Sequence, residues 1–597
     1  MNKLFLYTGF IFIGLILFTE TVSATTEAHF RKIRKEFTLS PDNKLTVNYY
    51  KELEINSLMA LNNLYGETFI VYNPDFQKLK INSAFTRLAN GDTLHIPQNA
   101  LNEVLPSFAA NAPAYNHLKE MVVTHTGLEP GACIHLNYTL LSEGIRHLDI
   151  DEILQEETPV QEYRIIINVP HNQEFQYKLL NLKGKPEITE TTHGKRYAWT
   201  FRNLQPRTNE SFRIKNKTDI PHFIASTYTS RKSSLEALRA NLHFGKHEEI
   251  TRFTKELTQN CENNLDRTFA IKDYIARQIS TLDIPSEYLN RKIRTPEEVF
   301  NQAYGTQTEK INLFITMLQS VGIPASVAVV YPGSEGEETI GGLQPIQQLL
   351  VYTLSEGIPL FFTADGYDIL SPELRGKRDQ IYLLSASEIK PLTVLPSSGN
   401  INCRLNLNIS PTEGKLSGNI SLAGGLVPIR PNKLYQEKIK EAIAIPGDSI
   451  NIRYNKVTPF ENNLSVESQF TPVINQDYLL YSLPEVATGV HSWKIHPLTA
   501  NRKEKLEIPY PIRESYDYTI RLAPGLTLKN KCREIRKKHR CGAVSVKITQ
   551  QDDRIHIHRE IALPAVVITP KEYKHFREIL DTWQDKNANT LIIKHIK

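Results

Sequence analysis

A chain of 597 residues exceeds what one hydrophobic core supports, and at ~150 residues per domain it fits three or four domains. Its 40% apolar and 23% charged content is that of a folded protein, and beyond the N-terminus no apolar stretch is long enough to cross a membrane as a helix. The net charge of +5 is small for this length and calls for no nucleic acid partner.

The first segment reads as an export signal, residues 1–24. Lys3 supplies a positive start, Leu4 to Phe18 is an almost unbroken apolar run, and Val22-Ser23-Ala24 offers small residues for cleavage. The alternative is a retained anchor, but the run is short for spanning a bilayer. No cysteine follows it, so no lipid-modified N-terminal cysteine is expected. Cleavage after Ala24 predicts a periplasmic or secreted chain with no stable membrane insertion.

Residues 25–228 read as a β-sandwich. Lys44 to Ile55, Glu67 to Tyr72 and Tyr163 to Val169 alternate or run apolar between Asn, Gly and Pro turns. Residues 229–395 change texture. Thr251 to Gln278 has a helical pattern in which Leu265, Ile271, Ile275 and Ile279 share an arc. Phe314, Met317, Leu318 and Val321 trace a second helix that Gly322 and Pro324 stop. Ala325 to Tyr331, Gln348 to Thr353 and Pro359 to Thr363 follow as strands, which predicts an α+β domain.

Residues 396–597 return to strands: Asn402 to Ile409, Leu416 to Leu422, Tyr516 to Leu522, Ala543 to Ile548 and Arg554 to Ile561. Thr569-Pro570-Lys571-Glu572 reads as a capping box opening a Tyr573, Phe576, Leu580, Trp583 helix, and Leu591 to Ile596 as a closing strand. There is no internal repeat and no low-complexity linker. The expected fold is therefore α+β and multidomain.

The odd set Cys133, Cys261, Cys403, Cys532 and Cys541 cannot all pair within one chain. Cys532 and Cys541 are close enough to staple a loop, or to remain two thiols. Between them lies most of the basic run Lys529 to Arg540, which suits a solvated loop or contact with anionic glycan or lipid headgroups. His556 and His558 share one strand face, but no third ligand is evident and no metal or other cofactor is expected.

Gly305-Thr306-Gln307-Thr308-Glu309-Lys310, followed by a helix and the turn Gly322-Ile323-Pro324-Ala325, resembles the transglutaminase-like fold of bacterial exported proteins. In that family a Gly-x-Cys-x-Asp-Lys stretch opens the helix. Ile346-Gln347-Gln348-Leu349 stands where the family has Phe-Asn-His-Val, and Phe362-Thr363-Ala364-Asp365-Gly366 resembles its Leu-Asp-Pro strand end. Glu129-Pro130-Gly131, Tyr197-Ala198-Trp199 and Pro221-His222-Phe223 resemble the domain of unknown function that commonly precedes it.

The resemblance implies a papain-like triad of thiolate, imidazole and orienting aspartate. Here the vestigial triad positions are Gln307, Gln348 and Asp365, and a glutamine amide neither attacks nor shuttles a proton near neutral pH. A shifted alignment does not restore the pair. Glu248 through Val490 contains no histidine, and Cys261 is the single cysteine between Gly245 and Leu395. Thr306 and Thr308 are hydroxyl candidates without a visible base. The expectation is a pseudoenzyme with no catalytic residue, acting as a binding or scaffold protein for a protein or glycan ligand at the envelope. Gln307 and Gln348 then either line an open cleft or bond each other across a closed one. Two rival readings remain: an enzyme with an unrecognised site, and adhesion or glycan binding by the sandwich domains.

Overall fold

The computed structural model describes residues 26–61, 63–207, 210–213, 220–245, 247–332, 340–355, 357–367, 380–393, 398–495 and 501–596. The export signal expected at 1–24 lies outside the described residues.

An N-terminal eight-stranded sheet runs in the order Glu187–Thr191, Gly194–Leu204, Val160–Pro170, Ala28–Leu39, Lys44–Ile55, Cys133–Glu143, Gln77–Arg87 and Thr93–His95. Ala28–Leu39 and Val160–Pro170 pair in parallel; the other neighbours are antiparallel. A three-stranded sheet (Gln176–Leu180, His222–Ser226, Asp149–Ile153) packs Ile150 and Phe223 onto Ile33, Tyr163, Ile165 and Trp199. A second (Glu67–Tyr72, Lys119–Thr124, Leu101–Val104) packs Ile70 and Val123 onto Ala84 and Leu136. Sheet on sheet follows from the alternation, which gives each strand one apolar face to hide at about 1.5–3 kcal/mol per large side chain.

The central core is built around the helix Gln307–Ser320, whose residues from Glu309 to Leu318 are all buried. The sequence pattern suggests one apolar face. The structure encloses the helix on all sides, because a five-stranded antiparallel sheet and neighbouring helices surround it. That sheet has the order Ile358–Phe362, Gln348–Ser355, Ala325–Tyr331, Gln380–Leu384, Ile389–Leu392. Gly322, at φ +80°, turns the chain from helix to strand. The upstream helix expected over Thr251 to Gln278 is two helices, Glu248–Leu257 and Asn264–Gln278. The break falls where the Asn263 side chain accepts the Asp266 N–H at 2.8 Å and starts the second helix afresh.

The C-terminal eight-stranded sheet has the order Ser449–Val457, Glu461–Phe470, Gly414–Ala423, Gly399–Ile409, Ile512–Leu522, Arg554–Leu563, Gly542–Gln551, Arg533–His539. Its inward face packs against the helices Asn432–Ile443 and Tyr573–Trp583. The latter starts later than the capping-box motif suggests. Thr569 and Glu572 do bond (Thr569 Oγ1 donates to Glu572 Oε2, 2.7 Å), but Pro570 to Glu572 form a turn before the first helical residue, Tyr573.

Candidate functional site

The helix Gln307–Ser320 begins with a reciprocal cap. Thr306 accepts the Glu309 N–H, and the Glu309 carboxylate accepts the Thr306 N–H at 2.9 Å. Gly305 sits in a tight space, where a Cβ would crowd Val299 Cγ1 at 3.0 Å and Glu309 Cβ at 3.2 Å. Glu309 is almost fully buried, and accepts the Arg294 guanidinium at 3.0 Å and the Tyr115 hydroxyl at 2.7 Å. Burial pushes its carboxyl up, but the hydrogen bonds from Arg294 outweigh this and hold it below the ordinary range. The cap thus fixes the first turn rigidly, and Gln307, its first residue, is presented outward.

Gln307 faces a cavity of about 370 Å³. One wall is the segment from Leu282 to Ile293, the other is Leu343, Gln344, Ile346 and Leu349, and Thr306, Gln307 and Thr308 border it at the helix N-terminus. Gln307 Nε2 donates to Asp283 Oδ1 at 3.2 Å, so its amide is held by the cavity wall and not by Gln348. The lining mixes apolar side chains (Leu282, Ile284, Leu289, Ile293, Leu343 and Leu349) with Asp283, Ser286, Arg291, Lys292 and Gln344, which suits an apolar side chain flanked by a polar backbone.

Gln348 is turned away from the cavity. It opens the strand Gln348–Ser355 opposite Val330, on the face that carries Leu350, Val330 and Ala328. Leu349 is the residue that lines the cavity and packs with Val351 against the helix core. Strand side chains alternate faces, so a one-residue slip in the comparison exchanges a polar amide for an isobutyl group at the cleft. Asp365 lies beside the helix: its Oδ1 accepts from the Thr281 hydroxyl and from Lys310 Nζ at 3.4 Å, and Lys310 Nζ donates to Thr281 Oγ1 at 2.6 Å. Burial depresses the Lys310 ammonium below its ordinary pKa, although Asp365 opposes it. The Asp365 carboxylate is therefore engaged by an ammonium and a hydroxyl.

The remaining sequence candidates separate. Cys532 and Cys541 are free thiols, one exposed and one buried. The strand Arg533–His539 runs straight between them, so their Cα atoms are about 25 Å apart at ~3.3 Å per residue, far beyond disulfide reach. The basic run is consequently no stapled loop but the edge strand of the C-terminal sheet. His558 bonds Asp517 at 2.6 Å and His556 approaches Thr519 at 3.4 Å. Among the described residues no three His, Cys, Asp or Glu side chains converge as a metal site.

Sequence reasoning misses the N-terminal residues that shape the cavity. Asp149 Oδ2 accepts Arg291 Nη2 at 2.7 Å together with the backbone N–H groups of Leu343 (2.7 Å) and Gln344 (3.2 Å), and so ties the two cavity walls together. Asn73 Nδ2 donates to the Tyr288 carbonyl at 2.7 Å, and Phe108, Ala109, Ala112 and Tyr115 pack behind Ile284 and Leu289. No local motif marks these residues, because their partners lie more than 140 positions away.

Three family models match in series: a domain of unknown function at residues 41–208, the transglutaminase-like superfamily at 251–356, and a second domain of unknown function at 478–593. A solved structure from Parabacteroides distasonis ATCC 8503, described as a "putative protease", is 31% identical with TM-score 0.73, covering 95% of this chain and 99% of that one. The chain belongs to this transglutaminase-like family. The transglutaminase-like match contains the capped helix and every cavity-lining residue except Leu238. A Cytophaga hutchinsonii structure described as a "putative cysteine protease" is 14% identical with TM-score 0.19, covering 41% of this chain and 89% of that one. No curated protein matches the chain. Among the described residues, no helix of this transglutaminase-like protein is long and apolar enough to cross a membrane.

Proposed function

We propose that this transglutaminase-like protein is exported and non-catalytic, and that its central cavity holds an apolar side chain of an extended peptide in a binding or scaffold role at the cell envelope. One observation carries the reading. At the cavity, the helix N-terminus presents Gln307 and the neighbouring strand presents Leu349, and neither an amide nor an isobutyl group supplies the thiolate or the imidazole that a cysteine enzyme uses. The cavity itself is retained, with Arg291 and Gln344 held from behind by Asp149. Export rests on the charged start, short apolar run and small residues of positions 1–24.

The test is restoration. Gln307→Cys with Leu349→His is expected to create a thiol that reacts with iodoacetamide at pH 6, whereas Gln307→Cys with Gln348→His stays slow, because that imidazole lies on the other sheet face. Peptide or ester hydrolysis by the unaltered chain, if it survives Gln307→Ala, overturns the non-catalytic reading in favour of an enzyme with another site. That second reading is favoured by the description of the 31% identical relative as a protease. Export is checked by sequencing the N-terminus of the mature chain, which should begin at Thr25.

A further inference from the structure

The C-terminal sheet carries a feature that the cavity leaves unused. Its strand Gly399–Ile409 alternates without exception, and while Ile401, Cys403, Leu405 and Leu407 point into the core, Asn402, Arg404, Asn406 and Asn408 are exposed. Asparagine is depleted from strands, because its side chain competes for the backbone and packs poorly on the pleat. A central strand with this outward row breaks the local rule, and such breaks concentrate at functional surfaces.

Register extends the row into a platform. Asn402 has Ser421 and Ser515 beside it, Arg404 has Asn419 and Asp517, Asn406 has Ser417 and Thr519, and Asn408 has Lys415 and Arg521. Asn419 is followed by Ser465 and then by Arg453, so Arg404 and Arg453 stand in one line three strands apart, about 14 Å at ~4.8 Å per strand. Between them Asn455 Nδ2 donates to Ser465 Oγ at 2.8 Å, which donates to Asn419 Oδ1 at 2.9 Å. Among the described residues, the side chains of Asn402, Arg404, Asn406, Asn408 and Arg453 make no hydrogen bond or ion pair. The basic edge strand Arg533–His539 adds Lys538 on the far side of the same face, since Glu534, opposite Lys547, shares its alternation.

We propose that this face binds an acidic polysaccharide. Unpaired guanidinium groups suit carboxylate or sulfate substituents in a bidentate fashion, and free amides, each both donor and acceptor, match sugar hydroxyls. The block of positions beside Asn402 to Asn408 carries no aromatic ring, so stacking on bare sugar rings or on nucleic acid bases has no platform there. It carries no aliphatic wedge either, which removes the means of entering a bilayer. Lys415 and Arg521 are paired with Glu413 and Asp553, and the face also carries Glu467 and the His558-bound Asp517, so it is the guanidinium groups of Arg404 and Arg453 that, with the amides, select a flat, hydroxylated polyanion.

Binding of the whole chain is measured at low salt to polygalacturonate, to its methyl ester, to poly-L-glutamate as a polyanion without hydroxyls, and to phosphatidylglycerol vesicles. Polygalacturonate is expected to bind tightest, with its affinity falling as salt screens the charges. The double variant Arg404→Gln/Arg453→Gln is expected to lose at least tenfold in affinity. Asn402→Thr/Asn406→Thr/Asn408→Thr, which favours the strand, is expected to lose at least fivefold for polygalacturonate and nothing for poly-L-glutamate. All five side chains are exposed, and an unchanged melting temperature verifies folding. No binding to polygalacturonate, binding unaffected by the double variant, or equal loss on both polymers in the triple variant overturns the proposal. Tighter binding to the vesicles reassigns the face to lipid.

Discussion

Glu514 and Lys51 are buried ionisable groups whose environments work in opposite senses. Burial pushes Glu514 up to about 7, against the lowering effect of the Val490 N–H and the Tyr516 hydroxyl that it accepts. The folded state then holds a proton that the unfolded chain has released, so this residue costs stability as pH rises from about 4.5 to about 7. Glu514→Gln keeps the acceptor for Val490 and is expected to exceed the parent in stability by up to about 3 kcal/mol above pH 7 and by little at pH 4.5, in urea unfolding. Lys51 is lowered to about 8 by burial, opposed by Glu156, and donates to Thr68 Oγ1 at 2.7 Å. Here the unfolded chain binds the proton more readily, so stability is reduced below pH 8 and recovers as pH rises toward 10.5. Lys51→Met is expected to gain most near pH 7, and an advantage independent of pH would remove the titration argument.

The decisive element is the helix Gln307–Ser320, since its N-terminal cap fixes where Gln307 points. Removing the cap by Thr306→Ala is expected to cost about 1 kcal/mol in global unfolding, because the Glu309 N–H loses its acceptor. The edge strand Arg533–His539 decides the cysteines. A thiol reagent on the native chain is expected to label exposed Cys532 quickly, and buried Cys133, Cys403 and Cys541 only after unfolding. Protection of Cys532 until reduction would restore the disulfide that the strand geometry excludes. Cys541 also lies 3.3 Å from His539 Nδ1, but burial pushes its thiol up, which disfavours the thiolate.

At the scale of the molecule, the cavity is the joint work of two domains. Arg291 and the Leu343–Gln344 backbone belong to the central unit, while the Asp149 carboxylate that holds them comes from the N-terminal one. Asp149→Ala leaves the Arg291 guanidinium without its partner, at a cost of about 3 kcal/mol. Amide hydrogen exchange over residues 282–293 and 343–349 is expected to accelerate in this variant, with Asp149→Asn intermediate. Exchange unchanged in both segments would show that the walls stand without the N-terminal domain. A further brace, Glu210 to Arg502 at 3.4 Å, ties the N-terminal chain to a loop of the C-terminal region.

The sequence by itself determined the strands and the helix–turn–strand block, because alternation, Gly322 and Pro324 act over a few neighbouring residues. It also determined that no histidine stands between Glu248 and Val490 and that Cys261 is the single cysteine between Gly245 and Leu395, which is a matter of residue inventory. Only the tertiary structure decided that Leu349 and not Gln348 borders the cavity, since period-two alternation turns a one-residue uncertainty into the opposite face. It alone decided that Cys532 and Cys541 stand at opposite ends of a strand, and that Asp149 reaches Arg291 across 142 positions. Local patterns set which elements form. Long-range pairing sets what they face, and that is written in the packing of distant segments.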